Sequence, residues 1–376
     1  MSDQERLARV ALSRLTEPGD PRLTGLVAEL GAVRLHQLLV QEQDTHGLLT
    51  DVAARLASTD PERELDRAAR LGIRFVMPSD AEWPRQVEDL VIAGTLHERG
   101  GLPIGLWVKG PLTLDQLGEA VAVVGSRSST TYGDQVAGEM GALLVRHGAP
   151  VVSGAAFGID QAAHRGAIAM EGATVAVLAC GVDRAYPAAH QALLDHIAGH
   201  GAVVSEAAPG CAPTRIRFLA RNRLIAALGR GTVVVEAAVR SGALNTATWA
   251  ERLNRVVLAV PGPVTSAQSQ GVHQLVRRGA ATLVTSAQEV LEMVGESGAH
   301  LVEAPQAPLT ARDRLTVRHR QVLDAVPVAE GVGTDSVART AGLGLVEVRS
   351  ALHHLESHGL VEQDGVGWRL GALGRA

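Results

Sequence analysis

Lysine is nearly absent from this chain of 376 residues: Lys109 stands alone among 35 basic side chains, and the other 34 are arginines. That bias fits a GC-rich genome and says nothing about any one site, although each arginine does bring a planar fork suited to phosphate. Aromatic residues make up 2% of the chain, with three phenylalanines and two tyrosines. Cys180 and Cys211 are the only cysteines, too few for a disulfide framework or a zinc pattern and in keeping with a reducing compartment. No run reaches the ~18 apolar residues of a membrane span, and the charged start MSDQERLARV has no apolar signal core. These absences predict a soluble cytoplasmic protein with no membrane partner, and no metal or other cofactor is expected.

Acidic residues outnumber basic ones by 40 to 35, for a net charge of −5. This argues against a general coat for nucleic acid but permits one local basic groove. Residues 1–100 carry 17 acids against 12 arginines, whereas CAPTRIRFLARNRLIAALGR, residues 211–230, carries five arginines and no acid.

The length suggests two or three domains. Leu and Val at helical spacing, broken at PGDP, predict a small helical domain over 1–72. GLWVKG (105–110) reads as one strand. From 121, the short apolar runs VAVV, PVVSG, TVAVLACG, AVVSE, TVVVEA and VVLAVPG alternate with helical stretches, the pattern of a mostly parallel sheet covered on both faces. The predicted fold class is therefore α/β, a doubly wound, Rossmann-like sheet over 73–297. A linker follows at 298–313, and three helices with a glycine-tipped hairpin over 314–376 predict a winged helix.

In such sheets ligands sit beyond the carboxyl ends of the strands. Gly125, Ser126 and Arg127 follow the first strand of the alternation, where backbone N–H groups and a guanidinium suit a phosphate; a tight turn with a solvated arginine is the competing reading. GxGxxG is missing, which weakens any NAD assignment. Ser153 and Gly154 close the next strand, where small residues admit a close ligand. Val151 stands where a nucleophile elbow needs glycine, so Ser153 is rejected as a nucleophile, and Asp160 and His164 read as a helix cap and a structural histidine. The basic segment supplies Arg215, Arg217, Phe218, Arg221, Asn222 and Arg223. Charge for the backbone with a ring for the bases is the combination used on single strands; the alternative puts Phe218 in the core. Arg217, Arg221 and Arg223 cannot share one helical face, so the entry loop is expected to hold some of them and the first helical turn the rest. Ser241 and Gly242 follow the fifth strand. Glu236 either orients groove arginines or caps a helix.

VAVVGSR, SGAAFGID, YP at 186–187, SEAAPG, RFLARNRLIAAL, VVVEAAVRSGALNTA, VLAVPG and GVHQLVRRGA together resemble the ordered motifs of the DNA-processing protein A (DprA, or Smf) family over roughly 75–295. The resemblance implies a non-enzymatic protein that binds single-stranded DNA in a groove of an extended Rossmann domain, as a homodimer. It also implies protection of incoming DNA in natural transformation and help in loading the RecA recombinase. Its groove residues map onto Arg127, Phe218, Arg221 and Arg223. Three positions depart from the family pattern: Phe157 and Ala188 stand where basic residues occur, and Leu219 replaces a proline, so phosphate contacts are expected to weaken or shift onto Arg215 and Arg217. The C-terminal segment 311–376 balances eight arginines with eight acids, which favours a protein or auxiliary contact over a sequence reader. Two alternatives remain, a nucleotide-hydrolysing enzyme using Glu236 or Asp160 and a winged-helix transcriptional regulator.

Overall fold

The computed structural model describes residues 2–41, 59–302 and 310–375. The chain divides into two compact units, Met1–Val302 and Glu303–Ala376.

In the first unit, α1 (Ser2–Ser13), α2 (Pro21–Leu30), α3 (Ala32–Gln41) and α4 (Pro61–Arg70) precede the sheet. Asp20 caps α2, its carboxylate accepting from the N–H groups of Arg22 and Leu23 ahead of a proline at the first turn, as N-terminal signals require. These helices share one compact unit with the sheet and do not stand apart from it. Arg6 donates to the Phe75 carbonyl and pairs with Asp80. The rest of the helical region read from the sequence, residues 42–58, lies outside the described residues.

Nine strands form the sheet: β1 (Ile73–Val76), β2 (Leu106–Lys109), β3 (Val121–Val124), β4 (Val151–Ser153), β5 (Thr174–Val177), β6 (Ala202–Ser205), β7 (Gly231–Val234), β8 (Val256–Ala259) and β9 (Thr282–Leu283). Their spatial order is β1-β2-β6-β5-β4-β3-β7-β8-β9. β1 and β2 add antiparallel to the edge, and the other pairings are parallel. The alternation read from the sequence corresponds to β3 to β8, and GLWVKG to β2; neither β1 nor the two-residue β9 was read as a strand. After β6 the chain crosses back to pair β7 with β3, so strand order reverses between them.

Alternation within one strand shows how both faces are covered. Val121 and Val123 join the cluster of α5 (Thr131–Arg146) and α6 (Ile159–Ala169), while Ala122 and Val124 join the opposite cluster with α8 (Arg215–Leu228) and α9 (Gly242–Arg252). α7 (Gln191–His200) packs with β1, β2 and the N-terminal helices. All nine residues from Ala220 to Leu228 in α8 are buried, so this helix is core nearly all round and its polar residues must find partners inside.

The second unit holds helices Val317–Asp324, Thr334–Ala341 and Leu345–Ser357, then an antiparallel pair, Val361–Gln363 with Trp368–Leu370. Val332 bridges to Trp368 as a third edge. Helix, helix, helix and hairpin is the order that the sequence predicts.

Candidate functional site

A cleft of about 750 Å³ opens at the carboxyl ends of β3 and β7, the reversal point where ligands of doubly wound sheets collect. Its lining includes Gly125, Ser126, Arg127, Arg215, Phe218, Arg221, Asn222, Ser241 and Gly242. Nine of the thirteen residues selected from the sequence therefore meet there.

The turn after β3 is tightly built. The Ser126 N–H donates to the Glu236 carbonyl at 2.6 Å, and its own carbonyl accepts from Ile159 at 3.2 Å. A Cβ on Gly125 would lie 2.5 Å from the Ile159 side chain and 2.8 Å from the Glu236 carbonyl, so only glycine fits. Glu236 resolves the alternative left open by the sequence: its carboxylate accepts from the Thr130 N–H (2.9 Å) and hydroxyl (2.6 Å), fixing the start of α5 rather than orienting an arginine. Arg127 is exposed and lines the cleft.

Ser153 and Gly154 lie behind the cleft wall. Ser153 is fully buried and its hydroxyl donates to the Val123 carbonyl at 2.6 Å. Gly154 is small because Arg221 needs the room: a Cβ there would fall 1.3 Å from Arg221 Nη1. Both residues support the site without lining it.

Arg215, Arg217, Arg221 and Arg223 all lie on α8, whose first turn is capped by the Thr214 hydroxyl accepting from the Arg217 N–H. The expected division between loop and helix does not occur, because the helix is enclosed and arginines on several of its faces find different partners. Arg217 is held by both carboxylate oxygens of Glu17, at 2.7 and 2.9 Å. Arg223 is wholly buried and held by both oxygens of Glu206, at 2.6 and 2.8 Å. Neither lines the cleft, so the placement of Arg217 and Arg223 in a basic groove is corrected: both are neutralised structural ties, the first to the N-terminal region and the second to the end of β6. Asn222 donates to Asn245 Oδ1 at 3.1 Å and to the Gly242 carbonyl at 3.4 Å, and so ties α8 to α9.

Arg127, Arg215 and Arg221 line the cleft. Among the described residues none has a carboxylate within ion-pair distance, and neither does Arg240, a lining residue that the sequence reading missed. Arg221 donates to the Val177 carbonyl at 3.3 Å, and its Nε has no hydrogen-bond partner among the described residues. Burial lowers its pKa to about 10, with Asp160 opposing the fall, so it stays charged at neutral pH. Asp160, also buried, accepts from the N–H groups of Gly154 (3.2 Å) and Ala156 (3.4 Å); burial raises its pKa, and Arg221 counters that shift.

Phe218 stands between these cations. The guanidinium carbons of Arg127 and Arg221 lie 4.8 and 5.7 Å from its ring centroid, and the Tyr186 ring lies at 5.6 Å. Such contacts hold a guanidinium near an aromatic face, so the ring belongs to the cleft and not to the core. Tyr186 was legible only as part of the YP pair. His164 is structural, with Nδ1 2.7 Å from the Thr174 hydroxyl and burial lowering its pKa to about 3.

The site can receive a chain of phosphates with flat groups between them. The first turns of α8 and α9 face the cleft, adding partial positive charge to the guanidiniums. Among the described residues no group of His, Cys, Asp or Glu could hold a metal ion, and no single helix is long and apolar enough to cross a membrane.

Over 380 aligned residues the chain is 44% identical to the putative DNA processing protein DprA of Mycobacterium tuberculosis, with 98% of this chain and 95% of that protein covered. It is 37% identical to DprA of Streptococcus pneumoniae over 66% of this chain and 87% of that one. The crystal structure of the pneumococcal protein superposes with a TM-score of 0.62 at 31% identity, covering 77% of this chain and 96% of that chain. DNA processing protein A from Helicobacter pylori, solved for its single-stranded DNA binding mode, gives a TM-score of 0.51 at 26% identity over 58% and 94%. The model of DNA recombination-mediator protein A matches residues 74–295, and the chain belongs to that family.

Proposed function

We propose that this chain binds single-stranded DNA in the cleft beyond β3 and β7 and acts there without catalysing a reaction. The observation that carries the reading is the pair of guanidiniums on Phe218. Among the described residues neither Arg127 nor Arg221 has a carboxylate within ion-pair distance, and Arg221 is buried with Asp160 opposing its loss of charge, so a strand's phosphates would add direct hydrogen-bonding partners for both. Phe218 and Tyr186 offer π-faces that any base can use. The single-stranded DNA binding described for the Helicobacter pylori relative supports the same class of ligand.

The two carboxylates that an enzyme would use are already engaged, Glu236 at the start of α5 and Asp160 on two backbone N–H groups. This favours a binding site over nucleotide hydrolysis. A site that would grip the backbone through arginines suits a mediator that protects incoming DNA during natural transformation and passes it to a RecA recombinase. We extend the proposal to that role, to a homodimer, which would present two such clefts, and to action in the cytoplasm.

The test compares binding of single- and double-stranded oligonucleotides across a salt titration, in the whole chain and in Arg127→Ala. Preference for the single strand, with a salt slope that becomes shallower by roughly 0.7 in the variant, is expected. Equal affinity for duplex, or an unchanged slope in the variant, overturns the reading.

A further inference from the structure

A second cleft, of about 660 Å³, shares Arg127 and Ser128 with the first and continues over the exposed sides of α5 and α6. Phe157 and Arg165 line it, together with Gln161 and Asp134. Phe157 is one of three phenylalanines, yet its side chain is 45% exposed, a costly place for a rare ring unless something covers it.

The ring is held in place from behind. His190 packs against it with centroids 4.6 Å apart and planes at 69°. His190 is buried, and its Nδ1 donates to the Ala155 carbonyl at 2.9 Å. With the Gln161 amide turned to satisfy both neighbours, its nitrogen donates to His190 Nε2 at 3.0 Å and its oxygen accepts from Arg165 Nη2 at 2.7 Å. A single relay thus positions an exposed ring and an exposed guanidinium on one side of α6. Among the described residues Arg165 has no carboxylate within ion-pair distance, and Asp134 is turned to the Ser129 hydroxyl.

We propose that this cleft is a second subsite for the same strand, in which one nucleobase stacks on Phe157 while the adjoining phosphates lie on Arg165 and Arg127. The inference rests on the function proposed above and adds to it the path of the strand. Arg127, common to both clefts, is the pivot at which the strand passes from the Phe218 cluster to Phe157. A pre-positioned ring loses little rotamer freedom on stacking, and a base on Phe157 would cover surface that is otherwise wetted.

The experiment uses the full chain and three probes: a short oligothymidylate that fills only the first cleft, a longer one, and the longer one with abasic sites. Phe157→Ala should weaken binding of the longer oligonucleotide by about 5-fold or more, leave its salt slope unchanged, and have no effect on the short or abasic strands. Arg165→Gln should make the salt slope shallower by roughly 0.7. Phe157→Trp should retain affinity and be quenched when the strand binds; the native tryptophans, all at least 96% buried, are shielded from stacking. If Arg127→Ala weakens binding while Phe157→Ala changes nothing and Phe157→Trp is not quenched, the subsite is wrong and the first cleft stands. If wild-type protein shows no preference for single strands, the functional reading fails first.

Discussion

Glu206 closes both of its carboxylate oxygens on the fully buried guanidinium of Arg223, at 2.6 and 2.8 Å. Gly19, from the loop before α2, lies against the same guanidinium: a Cβ there would come 2.9 Å from Arg223 Nε. One arginine therefore joins α8, the end of β6 and the N-terminal region.

Removing one member of such a pair strands a buried charge. Arg223→Met should destabilise the first unit by about 3–5 kcal/mol, and adding Glu206→Leu should recover much of the loss. Urea denaturation of the two variants checks this. Affinity of the folded single variant for single-stranded DNA should stay within about 2-fold of wild type, well below the tenfold change that 1.4 kcal/mol represents, because Arg223 does not line the cleft.

Glu17 neutralises an arginine one turn from the cleft-lining Arg221. Glu17→Gln should release Arg217 and steepen the dependence of binding on salt by up to roughly 0.7, with tighter binding at low salt. Affinities measured along a sodium chloride series give the slope directly, and no change would mean that Arg217 cannot reach a bound strand.

Gly154→Ala puts a methyl 1.3 Å from Arg221 Nη1. The guanidinium must then leave its place beneath Phe218. Binding should fall about as far as in Arg221→Ala, while far-ultraviolet circular dichroism stays native.

His164 gives the first unit an acid-sensitive core. Its pKa is lowered from 6.5 to about 3 by burial, and the ring nitrogen that would take the proton, Nε2, has no hydrogen-bond partner among the described residues. The unfolded chain therefore binds this proton more readily than the folded one. The stabilisation is fully present above pH 6.5 and is lost as pH falls toward about 3, at up to about 1.4 kcal/mol per pH unit. His164→Gln should flatten that part of the stability profile in urea titrations run at a series of pH values.

Much of the fold was legible because strands buried on both faces read as short apolar runs, and seven of the sheet's nine strands announced themselves that way. β1 and β9 sit at the two edges and did not stand out. At the site, Gly125, Ser126 and Arg127 were readable because small residues after a strand have few other uses. The pairing state of the arginines was not: Arg217 and Arg221 sit one turn apart with the same residue type, and only the fold brings Glu17 into ion-pair contact with the first while the second, among the described residues, has no carboxylate at that distance and feels Asp160 only from further away. Arg240 was missed because nothing local separates a loop arginine in solvent from one on a cleft rim.

β3 lies between β4 and β7, and β7 is made from chain more than a hundred residues downstream. The cleft therefore takes shape only when the chain from Val124 to Thr246 is present. A chain interrupted before Gly231 would lack the carbonyl of Glu236 on which the Ser126 turn hangs, together with the wall that carries Ser241. The binding competence proposed here is all-or-none with respect to completion of that sheet, so shortened products should be inert toward DNA, not weakly active.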